Sequence, residues 1–183
     1  MTEPVLQDNK RCEMPDYIPQ RRGFLRMDFY APFNMLLIGA FLFLFCSRFT
    51  FGYGLLHGCL PVDMYMIDRS DKTYRTGEMI AFNMPRTVPF IKKDEKVIKI
   101  VAGIGGDKLR ITVDGVYNGK EFFAVNARRI LTKYKISPST IEKELTIPEG
   151  EVFLVGKTDY SWDSRFWGPV KLQTVIGKTY ALF

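Results

Sequence analysis

From Ala31 to Ser47 the chain reads APFNMLLIGAFLFLFCS, a run in which only Asn34 and Ser47 are clearly polar. A second apolar stretch, Phe49 to Leu56, follows directly after Arg48. No other feature restricts the fold as strongly, because about 20 apolar residues cross the hydrocarbon core of a bilayer and about 17 suffice at the short end. A buried core helix or a cleaved secretory leader are the competing explanations. A leader carries its apolar region close behind a short basic start and ends in an Ala-x-Ala site. Here a long polar stretch comes first, and no such site follows. The expected organisation is a cytoplasmic segment over 1–30, a transmembrane anchor over 31–51 and one extracytoplasmic domain over 52–183.

Orientation follows from the flanks. Lys10, Arg11, Arg21, Arg22 and Arg26 all precede the run, so the positive-inside rule places the N-terminus in the cytoplasm and the following domain outside, on the inner membrane's outer face. Acidic residues in the same stretch (Glu3, Asp8, Glu13, Asp16, Asp28) count little for topology. The formal net charge of +6 is diffuse. No Lys/Arg run is interleaved with aromatics, which argues against a nucleic-acid partner. The three cysteines, Cys12, Cys46 and Cys59, fall one to each compartment of this topology and are poorly placed to pair. No residue pattern calls for a cofactor or a metal.

Beyond the anchor the chain reads as mainly β. Met79 to Phe82, Val97 to Val101, Leu109 to Val113 and Glu151 to Val155 are short runs rich in β-branched or aromatic residues. Turn signals separate them: Gly103 to Asp107, Asp114-Gly115, Asn118-Gly119 and Pro148-Glu149-Gly150. One helix is expected after Ser137-Pro138, with Ser139 as N-cap and Ile141 to Leu145 as its body. Short strands joined by tight turns imply a small β-barrel or sandwich.

Three segments carry candidate chemistry. Strand alternation puts Val97, Lys99 and Val101 on one face and Ile98 and Ile100 on the other, so both faces are mostly apolar. A lysine in such a strand either snorkels to water or is desolvated, and desolvation lowers the pKa of an ammonium toward the range useful to a general base. The second segment, GCLPVDMY (Gly58 to Tyr65), presents Cys59 two residues before a proline; the thiol is either a nucleophile for acyl transfer or a structural cysteine. The third, GKTDYSWDSRFWG (Gly156 to Gly168), gathers Ser161, Asp163, Ser164 and Arg165. Asp163 and Arg165 are expected to pair, and Ser161 to orient the lysine; an ordinary surface loop is the alternative.

Taken together these segments resemble the type I signal peptidase family, the serine–lysine peptidases. IKIVAGIGGD is similar to the family's I-K-R-x-V-G-L-P-G-D box, with Lys99 at the catalytic lysine. GKTDYSWDSRFWG is similar to its G-D-N-R-x-x-S-x-D-S-R-Y-x-G box, which puts Ser161, Asp163, Ser164 and Arg165 on matching positions. GEMIAF (Gly77 to Phe82) and IPEGEVFLVG (Ile147 to Gly156) resemble two further boxes, all in the family's order between about Gly58 and Val170. The resemblance implies a signal-peptidase-like β domain, a precursor peptide as substrate and an oxyanion hole that includes the Cys59 backbone N–H.

The departures are specific. Where the family has Ser-Met-x-Pro, this chain has Cys59-Leu60-Pro61, and the Asp-Asn-Arg section around Asp159 is shortened. Cys59-x-Pro61-x-x-x-Tyr65 is closer to the S-x-P-x-G-x-Y pattern of the conjugative-transfer (TraF-type) branch, with Asp63 replacing its glycine. That branch processes pilin precursors, and some members close the pilin into a ring; partners in a conjugation apparatus are implied with it. A thiol, ionising near ~8.5 when free, can pass its proton to an amine before attack, which makes thioester resolution the harder step. His57 offers a rival Cys–His pair. A reading of another class is a catalytically inactive, membrane-tethered binding module.

Overall fold

A computed structural model describes residues 30–53, 59–61 and 63–182. His57 and Cys12, and the expected cytoplasmic segment up to residue 29, lie outside the described residues. The chain divides into two units between Phe41 and Leu42. Helix α1 (Tyr30–Arg48) is long and apolar enough to cross a membrane, and none of its residues is buried. The apolar stretch after Arg48 does not prolong it, because Phe49–Tyr53 forms strand β1.

The second unit is mainly β. After β1 come β2 (Met64–Asp68), β3 (Met79–Asn83), β4 (Lys96–Ile104), β5 (Lys108–Ile111), β6 (Gly115–Asn118) and β7 (Glu121–Ala124). Helix α2 (Arg128–Tyr134), β8 (Lys143–Thr146), β9 (Glu151–Val155), the single helical turn α3 (Ser164–Trp167), β10 (Val170–Lys171) and β11 (Val175–Ala181) complete it. A seven-stranded sheet runs in the order β1-β2-β11-β3-β4-β9-β10, and a four-stranded one in the order β7-β6-β5-β8. Every pairing is antiparallel.

The alternation expected of Val97–Val101 is present. Ile98, Ile100 and Ala102 pack with Leu109, Ile111 and Val116 of the smaller sheet, while Val97 and Val101 join Ile80, Phe82, Leu154 and Trp167 in a second apolar cluster. Strand β4 is therefore covered on both faces, and the register shift between Val101 and Gly103 opposite β9 bends it at its end. There Asp107 accepts from the Ile104 amide and from the Asn118 side chain, which also reaches the Ala102 carbonyl. The glycine-rich turn is thus tied to the smaller sheet.

The helix expected at Ile141–Leu145 is not formed. Pro138–Thr140 makes one 3-10 turn, and Lys143–Thr146 enters the sheet as β8, paired with Lys108–Ile111. Leu, Glu and Lys favour a helix, but Ile141, Leu145 and Ile147 alternate toward the core, and pairing with β5 decides the outcome. The helix lies at Arg128–Tyr134 instead. Asn126 Oδ1 accepts from the Arg128 amide at 2.8 Å, Ile130 and Leu131 are buried, and Lys135 closes the helix in the left-handed region.

Candidate active site

The pairing of β4 with β9 creates the centre of the site. Ile80 faces Lys99 on one side, and on the other Ile100 pairs with Val155, so the chain leaves β9 at Gly156 beside the lysine. A side chain at position 156 has no room: a Cβ there would stand 2.1 Å from Ser161 Oγ and 2.6 Å from the Cys59 carbonyl oxygen. Glycine is what lets the two segments close in. The Lys157 amide then donates to the Cys59 carbonyl at 2.7 Å, fixing the backbone of that residue.

Lys99 is completely buried. Its Nζ donates to Ser161 Oγ at 3.0 Å and lies 5.8 Å from the centre of the Trp167 ring. Among the described residues Ser161 is its one hydrogen-bond partner. A fully charged ammonium has three donors to satisfy, and a neutral hydroxyl meets only one of them.

Ser161 is held in turn. Its hydroxyl donates to Asp163 Oδ2 at 2.8 Å, and Asp163 forms a two-point pair with Arg165, at 2.8 Å through Nε and 2.9 Å through Nη2. All three side chains are buried. Asp163 also caps α3 by accepting from the Arg165 amide, and the Arg165 guanidinium donates onward to the Val125 carbonyl. Ser164 Oγ accepts from the Leu154 amide at 3.0 Å and ties the turn to β9. Asp159, in the shortened section, is exposed.

Cys59 is a free, half-buried thiol opening on a cleft of about 380 Å³. Leu60, Tyr65, Val97 and Ile98 form part of the same wall. Burial pushes the Tyr65 hydroxyl pKa up, and the charge of the nearby Asp63 carboxylate adds to the effect. Among the described residues no hydrogen bond joins Cys59 Sγ to Lys99 Nζ. The structure therefore brings Lys99, Ser161, Asp163 and Arg165 into one buried network, with Ser164 buried next to it but bonded to β9, and Cys59 linked through the backbone at Gly156 and Lys157. Two contributors were not anticipated from sequence, the Trp167 ring over the amine and the gap at Gly156. A glycine directly after the apolar run Val152–Val155 was the available signal for the second.

A signal peptidase I crystal structure from Enterococcus faecalis aligns with a TM-score of 0.42 and 25% identity, over 62% of this chain and 100% of that one. The probable signal peptidase I-2 of a Synechocystis species is 25% identical over 109 residues, 58% of this chain and 47% of its own length. Signal peptidase I V of Bacillus subtilis is 28% identical over 116 residues, 58% of this chain and 64% of its own, and signal peptidase I of Bacillus caldolyticus is 30% identical over 95, 47% and 52%. The chain thus spans about half to just under two thirds of the length of the Synechocystis and Bacillus relatives. The profile of the family described as signal peptidase, peptidase S26, matches residues 28–183, and the chain belongs to that family.

Proposed function

We propose that this chain is a single-pass membrane endopeptidase, N-terminus in the cytoplasm, that cleaves precursor peptides on the outer face of the membrane. Cys59 is the nucleophile and Lys99 the general base. The observation that carries the reading is the wholly buried Lys99, whose amine has, among the described residues, a single neutral partner, Ser161, held by the Asp163–Arg165 pair. A purely structural lysine has little reason to be desolvated in this way.

The chemistry balances within these residues. Cys59 Sγ bonds to the scissile carbonyl carbon as its proton passes to Lys99, contacts of this kind often tightening only when substrate is bound. The C–N bond then breaks, and the departing amine takes the proton from Lys99. Lys99, neutral again, removes a proton from water, the oxygen attacks the thioester, and the departing thiolate takes that proton back from Lys99, which restores the starting thiol and neutral amine. When an amine of the substrate attacks instead of water, the product is a new peptide bond. The Cys59-x-Pro61-x-x-x-Tyr65 spacing supports a place in the conjugative-transfer (TraF-type) branch, with a pilin-type precursor as substrate and ring closure as the outcome of amine attack.

The test uses the full chain with Cys12 and Cys46 replaced by alanine. A thiol-directed alkylating probe should label Cys59 at neutral pH, and Lys99→Ala should slow that labelling and lower precursor cleavage by about 10²- to 10⁴-fold. Undiminished precursor maturation in cells carrying Cys59→Ala or Lys99→Ala overturns the assignment. An inert thiol together with no cleavage of any precursor would favour a tethered binding module instead.

A further inference from the structure

The cleft that Cys59 opens on has a charged wall that the chemistry above does not use. Arg129 and Lys133 stand four residues apart on α2 and both line the cleft, with Lys96 also cationic there and Glu95 the one acidic side chain among its lining residues. Both α2 cations are exposed. Like charges at this spacing destabilise a helix, and α2 is only seven residues long. Neither forms a salt bridge with an acidic side chain among the described residues, whereas the adjacent Arg128 pairs with Asp114 at 3.1 Å.

The two cations are nonetheless positioned. The Arg129 guanidinium lies 4.3 Å from the centre of the Tyr160 ring, and Lys133 Nζ lies 5.4 Å from that of Tyr134. Tyr134 belongs to an aromatic group with Phe90 and Trp162, at 5.3 and 5.9 Å. Phe90 is 67% exposed and sits at φ 75°, a backbone conformation costly for a bulky residue. Strain of this kind accumulates at binding surfaces. Aromatic faces hold the cations without neutralising them, so their charge remains available to a ligand.

We propose that Arg129 and Lys133 form an anionic-side-chain subsite, selecting precursor peptides that carry Asp or Glu near the scissile bond. The inference rests on the peptidase reading of the same cleft for the identity of its occupant. Charge complementarity selects the acidic residue, because the wall presents three cations against one carboxylate.

The experiment scans Glu against Gln at each position flanking an Ala-x-Ala core in otherwise identical fluorescent peptides. Cleavage is followed with the wild-type full chain in detergent, and binding by anisotropy with full-chain Cys59→Ala. At one or more positions the Glu peptide should be favoured about fivefold at low salt, as expected for two partly solvated ion pairs. Arg129→Glu with Lys133→Glu should invert the preference toward a Lys peptide, and Arg129→Lys should retain it. A merely structural role for α2 would not invert selectivity. Cleavage with a Glu/Gln ratio of one at every position overturns the subsite and leaves the peptidase reading standing. Discriminating binding without any cleavage does the reverse. A ratio of one combined with charge-reversal effects that appear only in phosphatidylglycerol nanodiscs would assign the pair to lipid headgroups and likewise overturn the subsite.

Discussion

Arg165 heads the fully buried side chains by volume, and its charge is compensated inside the protein by Asp163. Removing one partner of such a pair leaves an uncompensated ion in a dry interior. Asp163→Ala should therefore cost about 3–5 kcal/mol in urea unfolding, while Asp163→Leu with Arg165→Met should cost much less than the sum of the single changes. Because the single Ser161 O–H is donated to Asp163, the hydroxyl can only accept from Lys99. The network is directional: it holds one N–H of the amine and, among the described residues, leaves the rest of the nitrogen without a hydrogen bond. That connection was not readable from spacing, since Lys99 and Ser161 are 62 residues apart and meet only through the β4–β9 register. The Asp163–Arg165 pair, two residues apart, was readable because burial of such side chains forces them together.

At the scale of elements, apolar content on both faces made β4 legible, and a run of β-branched and aromatic residues made β3 and β9 so. Strand β8 was read as a helix because the local preference of Ile-Glu-Lys-Glu-Leu is helical and its strand partner β5 lies more than thirty residues earlier. Helix α2 was missed for the converse reason. Its opening Arg-Arg hides the apolar pair Ile130-Leu131, and its N-terminal residue Ala127 makes no side-chain cap. The junction between β9 and the following turn carries its own prediction. Gly156→Ala must displace Ser161 or the Cys59 backbone, so it should destabilise the chain by about 1–3 kcal/mol and lower Lys99-dependent alkylation of Cys59, measured on the same preparation.

For the molecule as a whole, acid stability follows from a few carboxylates. Arg48 and Ser70 hold the Asp68 carboxyl well below the usual carboxylate range, Thr73 lowers that of Asp71, and Lys178 lowers that of Glu78. Groups with a depressed folded pKa bind fewer protons in the folded state, so their contribution is complete above the unfolded value near ~4 and is lost as pH falls through the folded one. At the basic end, Glu78 raises Lys178, and burial raises Tyr65 and Tyr74. Their contribution is present below about pH 10 and is lost above it. Thermal midpoints of the full chain in detergent should form a plateau between about pH 5 and 9 and fall on both sides. Asp68→Asn should lower the stability on this plateau by only about 1 kcal/mol, because Arg48 is largely exposed, and the difference in midpoint from wild type should shrink below about pH 4.

Strands β1 and β2 pair from Phe49↔Asp68 to Tyr53↔Met64, and the connection between them contains Cys59. Arg48, at the end of the apolar helix, is tied by its own carbonyl to the Arg69 amide and by its side chain to Asp68. The thiol is thus on a short leash. Ten residues lie between Arg48 and Cys59, so the eleven Cα steps give a contour of at most about 37 Å at about 3.4 Å per step, and β1 takes up part of it. On the proposed reading of a membrane-anchored cysteine peptidase, a polypeptide still lodged in the same bilayer would meet the thiol at high effective concentration, whereas one drifting free would have to find it by diffusion. Proximity to the lipid surface would then act as a selection rule in its own right, applied before any side chain is recognised.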